Sequence, residues 1–399
     1  MTSPDVESIL DQLDDREIIQ FTQELVRIPS VNGDEGAAAS FVAQACERAG
    51  LKVSMRDVQP GRPNVLAVWP GESDTIGLVL HGHTDTVPFL SMRDPTSGAL
   101  EDGYIWGRGS VDQKGGLAAA LMAVLALARS GARLAKSVAV AAVIDEESEH
   151  RGSMALVDDG LRADCAIITE PSDLQLLVAH KGTAPIRIHF TGVLAHGSNP
   201  WVGVNAVEMA SRTVLALQEL DLKSVELPGI GTMRASFNVG LIEGGTAYNN
   251  VADTCSLWLD RRMVPGETQA MAMAEVEDLL ARLAADHPTF KAEIEIARPD
   301  WTWDRIRERG LNPSLTPPDS RVAQAVAAAH QAATGQPVEV GFTHGYNDGD
   351  FLVNDLGIPT VNYGPGEGFR SHTVEEQLRV DHLLTASRVY LRTALMMAS

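Results

Sequence analysis

The chain has 399 residues, of which 44 % are apolar, enough for a large buried core and two or three domains. Acidic residues outnumber basic ones by 53 to 32, and the net charge is −21. With no basic face, the chain is not expected to bind nucleic acid, and an anionic membrane surface would repel it.

The first half of the chain alternates helices with short β-rich segments. Apolar periodicity predicts helices over 15–27, 35–49 and 115–128, and strands over 64–69, 75–80, 137–144 and 165–169. This alternation favours an α/β architecture built around a mixed, largely parallel sheet.

The pattern changes after about residue 181. Strands are predicted over 186–191, 234–242, 254–262 and 291–297, with helices over 203–220 and 267–285. This β-α-β-β-α-β order is ferredoxin-like and predicts an inserted α+β domain over 183–298. The catalytic domain would then comprise 1–182 and 299–399, completed by helix 320–333, strand 360–363 and helix 380–397.

Other features bear on the cellular compartment. The acidic N-terminus has no apolar core, so no signal peptide is expected, and the longest apolar run, 116–128, is too short to span a bilayer. Cys46, Cys165 and Cys255 lie far apart in apolar contexts and are predicted to be buried free thiols. These features favour a cytoplasmic protein.

Acidic and histidine residues follow three predicted strands. His83 and Asp85 follow strand 75–80, Glu146 and Glu147 follow strand 137–144, and Glu170 follows strand 165–169. Ligand sites of open α/β sheets lie at the carboxyl ends of strands. Because clustered carboxylates repel one another, we expect divalent metal ions to bind at this edge.

Each residue also has a simpler interpretation. His83 could be a buried structural histidine, and Asp112, in a glycine-rich turn, could cap the helix that begins near residue 115. Glu146 and Glu147 could be a solvent-facing pair. Asp85, two residues after His83, is suited to orient that imidazole.

Seven motifs in chain order make the pattern specific: HGHTDTVP (81–88), GRGSVDQKGG (107–116), DEE (145–147), TEPSD (169–173), AHGSNPWVGVNA (195–206), NNVAD (249–253) and YGPG…SHTVEE (363–376). Through them the chain resembles the co-catalytic zinc peptidase and deacylase family that includes acetylornithine deacetylase, succinyl-diaminopimelate desuccinylase, aminoacylase and glutamate carboxypeptidase. The resemblance implies a phosphorylase/hydrolase-like catalytic domain and an inserted dimerisation (lid) domain, and therefore a homodimer through 183–298.

The resemblance also implies a site with two divalent ions. Asp112 would bridge both ions, and the Asp112–Gln113 peptide bond would be cis. The terminal ligands would be His83 and Glu170 for one ion, and Glu147 and His372 for the other. Oxygen and nitrogen ligands without sulfur suit Zn²⁺, with Co²⁺ or Mn²⁺ as alternatives.

Further roles follow from the same resemblance. Glu146 would be the general base for attack of a metal-activated water, with Asp85 supporting the site. His196 would stabilise the oxyanion across a dimer, or be a structural histidine. Asn250 and Arg262 would bind the carboxylate side of a substrate, although Arg262 could instead pair with Asp260. Gly364 would line the cleft.

Asp350 departs from the family pattern, because several relatives carry an arginine at this place. An acid there disfavours an anionic substrate group, unless Asp350 only caps local backbone. Three activities on a small-molecule substrate remain open: hydrolysis of N-acyl amino acids, hydrolysis of peptides by a dipeptidase or carboxypeptidase, and hydrolysis of a non-peptide amide or C–N bond.

Overall fold

The structure is a computed structural model that describes residues 6–298 and 301–399. The chain forms two compact units. The first unit comprises Met1–Ala179, Leu315–Phe342 and Asn347–Ser399, and the second comprises His180–Ser314 and Thr343–Tyr346. Two parts of the predicted catalytic domain lie outside the described residues. They are residues 1–5 and the predicted start of its last segment at residue 299.

The helices agree closely with the apolar periodicity. They are α1 (Val6–Leu10), α2 (Asp15–Arg27), α3 (Gly36–Arg48), α4 (Lys114–Ser130), α5 (Arg151–Asp158), α6 (Ala206–Gln218), α7 (Gln269–Asp286), α8 (Asp304–Arg309), α9 (Arg321–Thr334) and α10 (Val380–Ala398). Predicted boundaries lie within a few residues of these.

The strands include several short ones that the sequence did not predict. They are β1 (Lys52–Gln59), β2 (Arg62–Trp69), β3 (Ile76–His83), β4 (Leu100–Glu101), β5 (Tyr104–Trp106), β6 (Ser137–Val143), β7 (Ala166–Ile168), β8 (Leu176–His180), β9 (Gly182–Thr191), β10 (Ala195–His196), β11 (Ser224–Leu227), β12 (Gly231–Arg234), β13 (Ser236–Gly244), β14 (Asn250–Val251), β15 (Thr254–Met263), β16 (Ala292–Ile296), β17 (Ser314–Leu315), β18 (Val340–Thr343), β19 (Thr360–Asn362) and β20 (Gln377–Arg379).

The first unit is built on a mixed sheet whose order is β1-β2-β6-β3-β7-β19-β8-β17, with β18 paired to β8. Its middle strands β6, β3, β7 and β19 are parallel to their neighbours in that series, whereas β1, β2 and β8 pair antiparallel. The prediction of a mixed, largely parallel central sheet is therefore confirmed. Parallel strands require crossover connections, and helices supply them.

Burial explains why these segments form the centre of the sheet. Every residue of β6 is buried, and so is α4 from Lys114 to Leu127. Alternate residues of β6, from Ala139 to Val143, share one face of the sheet and pack with Leu156 and Leu352. A strand buried on both faces has a continuous apolar sequence, as Val138–Val143 does.

The second unit has its own antiparallel sheet, in the order β13-β15-β9-β16. Helices α6 and α7 lie between its strands in sequence, and their apolar residues join Ile186, Ile188 and Leu257 in one core. The strands and helices follow the predicted β-α-β-β-α-β order. Strand β13 lies at an edge of the sheet.

Within the described part of the chain, no helix combines the length and the apolar character that crossing a bilayer requires. All three cysteines are buried free thiols, as predicted.

Candidate metal centre

The candidate ligands meet where the parallel strands end. Strand β3 ends at His83, the acidic triplet 145–147 begins two residues after β6, and Glu170 lies two residues after β7. Strands β6, β3 and β7 are adjacent and parallel, so their carboxyl ends share one edge of the sheet. The predicted convergence of these residues is thus present in the fold.

Two groups of three side chains lie at this edge, and each has its ligand atoms within 4.8 Å of one another. In the first group, His83 Nε2 lies 3.2 Å from Asp112 Oδ1 and 3.3 Å from Glu170 Oε1. In the second, His372 Nε2 lies 3.4 Å from Asp112 Oδ2 and 3.0 Å from Glu147 Oε1.

Asp112 belongs to both groups and presents a different carboxylate oxygen to each. Glu376 fixes the backbone of Asp112, because the N–H groups of Val111 and Asp112 each donate a hydrogen bond to Glu376 Oε1 at 3.0 Å. Glu376 is fully buried and pairs with buried Arg108. The peptide bond between Asp112 and Gln113 is cis, as the resemblance implies.

A glycine lets two strands and a helix converge behind the ligands. A Cβ on Gly82, between the two histidines of β3, would lie 2.6 Å from Gln113 Oε1 and 2.7 Å from Thr169 Oγ1. These two side chains hydrogen-bond to each other, and the Gln113 amide donates to Glu170. Only glycine at position 82 leaves room for the groups that orient Glu170.

The charges at this edge are unbalanced. Burial raises the pKa of Glu146 well above its usual value, and the Glu170 carboxylate adds to the rise. Burial and Asp112 raise the pKa of Glu170 to about 8, and burial raises that of Glu147 as well. Hydrogen bonds to Asp112 and Glu147 raise the pKa of His372 to about 10. The folded site therefore binds positive charge, either protons or cations.

The donor set fits two divalent cations. Burial alone would raise the pKa of Asp112, but hydrogen bonds from His372 and His83 hold it well below its usual value, so this carboxylate is ionised. Each group offers one imidazole nitrogen and two carboxylate oxygens, which suits Zn²⁺, Co²⁺ or Mn²⁺. His372 is half exposed, whereas His83 is fully buried.

Asp85 connects the end of β3 to the acidic triplet. Its backbone carbonyl lies 2.9 Å from His83 Nδ1 and accepts a hydrogen bond from that nitrogen, which leaves Nε2 for a metal. Its carboxylate accepts the N–H groups of Glu146 at 3.2 Å and Glu147 at 3.0 Å. Asp85 therefore sets the positions of three candidate site residues.

Sequence reasoning missed a group of residues behind Glu146. Glu146, His150 and Asp348 have ligand-type atoms within 4.8 Å of one another. His150 Nδ1 lies 2.9 Å from Asp348 Oδ1, and Ser153 Oγ donates to Asp348 Oδ2 at 2.7 Å. His81 packs here as a buried histidine, 2.9 Å from Ser153 Oγ. No local pattern in the sequence signals a contact across almost 200 residues.

Two other predicted site residues lie in the first unit. A Cβ on Gly364 would lie 2.4 Å from the Glu170 carbonyl oxygen, so this backbone lies directly against the strand end that carries Glu170. Asp350 is fully buried, and its Oδ1 accepts a hydrogen bond from Asn354 at 2.6 Å.

The remaining three lie in the second unit. His196 and Asn250 are direct partners in the antiparallel pairing of β10 with β14. His196 is exposed, and its Nδ1 lies 2.8 Å from Ser198 Oγ. Arg262 Nε donates to Asp260 Oδ2 at 2.9 Å. This is the ion pair that the sequence analysis gave as the alternative to substrate binding by Arg262.

Two nitrogen- and oxygen-donor groups that share one carboxylate, at the carboxyl edge of a mixed α/β sheet, define a candidate binuclear hydrolase centre. The chain belongs to peptidase family M20/M25/M40, whose family model matches residues 79–396. It is therefore an enzyme of the metallopeptidase and amidohydrolase class.

Curated relatives match over nearly the full length. The chain is 28 % identical to N-formyl-4-amino-5-aminomethyl-2-methylpyrimidine deformylase of Bacillus subtilis (strain 168), covering 94 % of this chain and 93 % of the relative. It is 30 % identical to acetylornithine deacetylase of Edwardsiella ictaluri (strain 93-146), covering 90 % and 92 %.

Solved structures share the fold. The aminopeptidase PepT of Bacillus cereus ATCC 10987 matches with a TM-score of 0.79 at 20 % identity, covering 97 % of this chain and 100 % of that one. A dinuclear metal-binding peptidase of the M20 family from Bacillus subtilis matches with a TM-score of 0.71 at 15 % identity, covering 96 % and 98 %.

Proposed function

We propose that this chain is a two-metal deacylase that hydrolyses the amide bond of a small N-acyl amino acid. The observation that carries the proposal is the pair of donor groups sharing Asp112, each with its ligand atoms within 4.8 Å. Zn²⁺ is the proposed metal, since the donors are imidazole nitrogens and carboxylate oxygens.

The proposed ligands are His83 and Glu170 for one ion and Glu147 and His372 for the other, with Asp112 between them. Two bound cations would supply the Lewis acidity that polarises an amide carbonyl and activates water. Asp85 orients the imidazole of His83 through its carbonyl group, and it holds the backbone of Glu147 through its carboxylate.

Glu146 is the proposed general base. It neighbours Glu147 in the chain, so one carboxylate binds metal while the other accepts the proton of the attacking water and delivers it to the leaving amine. Burial raises the pKa of the Glu146 carboxyl, so its ionised form would take a proton from water more readily than an exposed glutamate would.

We also propose substrate contacts for three residues that the resemblance singles out. His196 would stabilise the oxyanion, and Asn250 and Arg262 would bind the carboxylate side of the substrate, as the resemblance implies. The curated relative that removes an acetyl group from ornithine supports an N-acyl amino acid as substrate. Gly364 is the proposed backbone wall of the cleft.

A second candidate function is hydrolysis of an acylated amine that carries no carboxylate group. Two points support it: the match to the relative named as a pyrimidine deformylase covers 94 % of this chain, and Asp350 is a fully buried acid at a place where the resemblance leads us to expect an arginine. An acidic side chain disfavours an anionic substrate group and tolerates a neutral or cationic one.

We further propose a homodimer through 183–298 and a cytoplasmic location. Edge strand β13 exposes Leu241 and Ile242, and an exposed apolar edge strand is suited to pairing with a second copy. The three free thiols support a reducing compartment.

The test is a substrate panel with zinc-loaded protein and metal analysis. The panel contains N-acetyl amino acids, N-formyl derivatives of aminomethyl-pyrimidines, and dipeptides. The highest kcat/KM on N-acetyl amino acids supports the first proposal, and the highest on the formylated amine supports the second. Dipeptides as the best substrates would overturn both.

Glu146→Gln tests the general base. Turnover should fall about 10²- to 10⁴-fold with zinc content unchanged, since general-base catalysis contributes that much. Exposed Glu101→Gln is the matched control and should keep the wild-type rate. A Glu146→Gln enzyme that retains most of its rate would remove Glu146 from this role.

A further inference from the structure

The side chain of Asn32 lies between two buried carboxylates in the first unit. Its Nδ2 donates to Asp85 Oδ2 at 3.0 Å and to Asp145 Oδ1 at 3.1 Å. Asp85 and Asp145 are almost completely buried. Asn32 thus separates two like charges with a neutral group that donates a hydrogen bond to each.

Both carboxylates fix the backbone that carries Glu146 and Glu147. Asp85 accepts the N–H groups of these two residues. Asp145 immediately precedes them and has a φ of 70°, a left-handed conformation that aspartate adopts more readily than most residues with a side chain. The contacts of its carboxylate help to hold this conformation.

Two arginines hold Asp145 from the other side. Arg62 Nη2 donates to Asp145 Oδ1 at 2.7 Å, and Arg151 Nη1 donates to Asp145 Oδ2 at 3.2 Å. Arg62 is fixed in turn by Glu35, which is fully buried. Asn32 joins this ion network to Asp85, and through Asp85 to the metal centre.

The loop that carries Asn32 is also docked by its backbone. The Asn32 N–H donates to the Thr86 carbonyl at 2.9 Å, and the Thr86 N–H donates to the Ser30 carbonyl at 2.9 Å. The backbone of Asn32 is therefore fixed, which limits the positions that its side-chain amide can take beside the two carboxylates.

We propose that Asn32 is a positioning residue of the metal centre, whose amide bridges Asp85 and Asp145 and so holds Glu146 and Glu147 in place. The proposal rests on the proposed two-metal function. Asn32 belongs to neither of the two candidate ligand groups and acts through Asp85.

A turn role is the competing explanation. Asn32 precedes Gly33, and the Asp34 N–H donates to the Val31 carbonyl at 2.8 Å, which closes a turn. Aspartate and asparagine both serve well in turns, so a turn role predicts that Asn32→Asp is harmless. Bridging predicts the opposite, because the substitution puts a third carboxylate about 3 Å from two others.

The experiment compares Asn32→Asp and Asn32→Ala in the full-length protein. Three quantities are measured: zinc affinity by competition with a chelator, kcat and KM on the best panel substrate at saturating zinc, and Tm. Asn205→Asp is the matched control. Aspartate caps helix α6 as well as Asn205 does, and the new carboxylate lies beside exposed Glu208, to which the Asn205 amide donates at 3.2 Å, so the control also brings two acids together.

In Asn32→Ala, zinc affinity and kcat should each fall about 10-fold, and in Asn32→Asp about 100-fold. KM should stay within about threefold of the wild-type value in both variants. Substitution of residues that position metal ligands has effects of this size. Asn32→Asp at wild-type values, or milder than Asn32→Ala, overturns the proposal. If Asn32→Asp does not fold, unchanged zinc affinity in Asn32→Ala overturns it. Inactivity of the wild type on every panel substrate counts against the proposed function, while chelator competition still tests Asn32.

Discussion

Removing the metal should make the stability of the first unit depend strongly on pH. In the metal-free protein, burial raises the pKa of Glu170 from 4.5 to about 8. The unfolded chain releases this proton near pH 4.5, whereas the folded chain keeps it until about pH 8. The unfolded state thus binds fewer protons in this window, and the free energy of unfolding falls as pH rises.

The magnitude follows from the width of the window. Each pH unit between 4.5 and 7 removes about 1.4 kcal/mol, so this one carboxyl lowers stability by roughly 3 kcal/mol at pH 7. For a domain of this size that is a fall in Tm of about 6–12 °C. His372, with its pKa raised from 6.5 to about 10, changes stability in the same direction at higher pH.

Calorimetry of chelator-treated and zinc-loaded protein at pH 5, 6, 7 and 8 measures the effect. The Tm of the zinc-loaded protein should stay constant or rise between pH 5 and 8. Zinc takes the place of the protons on the ligand side chains, and it binds more tightly as these side chains lose their protons. Metal-free Glu170→Gln should show a shallower fall than metal-free wild type, since glutamine does not ionise. A metal-free wild type whose Tm rises from pH 5 to 8 would refute the reasoning, as would a Glu170→Gln protein with the wild-type slope.

Three further predictions follow from the same geometry. Asp112→Asn should reduce bound zinc from two ions towards one or none by metal analysis, because it weakens the donor common to both groups; two tightly held ions would contradict the shared role. Asp350→Asn replaces a buried acid by an amide of the same size, and it should raise kcat/KM on N-acetyl amino acids relative to uncharged N-acyl amines. An unchanged ratio would show that the acid at position 350 does not affect the choice between these substrates. Leu241→Lys with Ile242→Lys should convert a dimer to monomers by light scattering, with the secondary structure unchanged by circular dichroism, and a persistent dimer would rule out edge strand β13 as its interface.

The candidate ligands could be proposed from the sequence because each directly follows a recognisable apolar strand or lies in a motif. The prediction was less accurate at strand β3, which continues through His81 and Gly82 to His83 instead of ending at Leu80. Buried imidazoles have the polarity of loop residues, so apolar periodicity ends too early there. Strand β1 was missed because most of its residues are exposed and polar.

Asp85 could be predicted to orient His83 because it lies two residues away, but the supporting residues farther along the chain could not be predicted in this way. Glu376 acts on Asp112 across 264 residues, and Asn32 acts on Asp145 across 113. Such contacts exist only after the sheet has formed, and neither side chain belongs to a periodic pattern. Glu376 and Gln113 both lie inside quoted motifs, but a motif does not show which residues they contact. The contact of Gln113 with Glu170 depends on the close approach that Gly82 permits.

The distribution of positive charge explains why the centre needs cations from outside the chain. Among the described residues, the ion pairs of Asp112, Glu147 and Glu170 are to histidines. Arginines form ion pairs with two acids that support these candidate ligands, Asp145 and Glu376. A guanidinium beside the ligands would neutralise them permanently and compete with a metal, whereas imidazoles lose their protons and become ligands themselves. The supporting acids are therefore fixed by charges that never titrate, and the inner acids keep a negative charge that only protons or bound metal can balance.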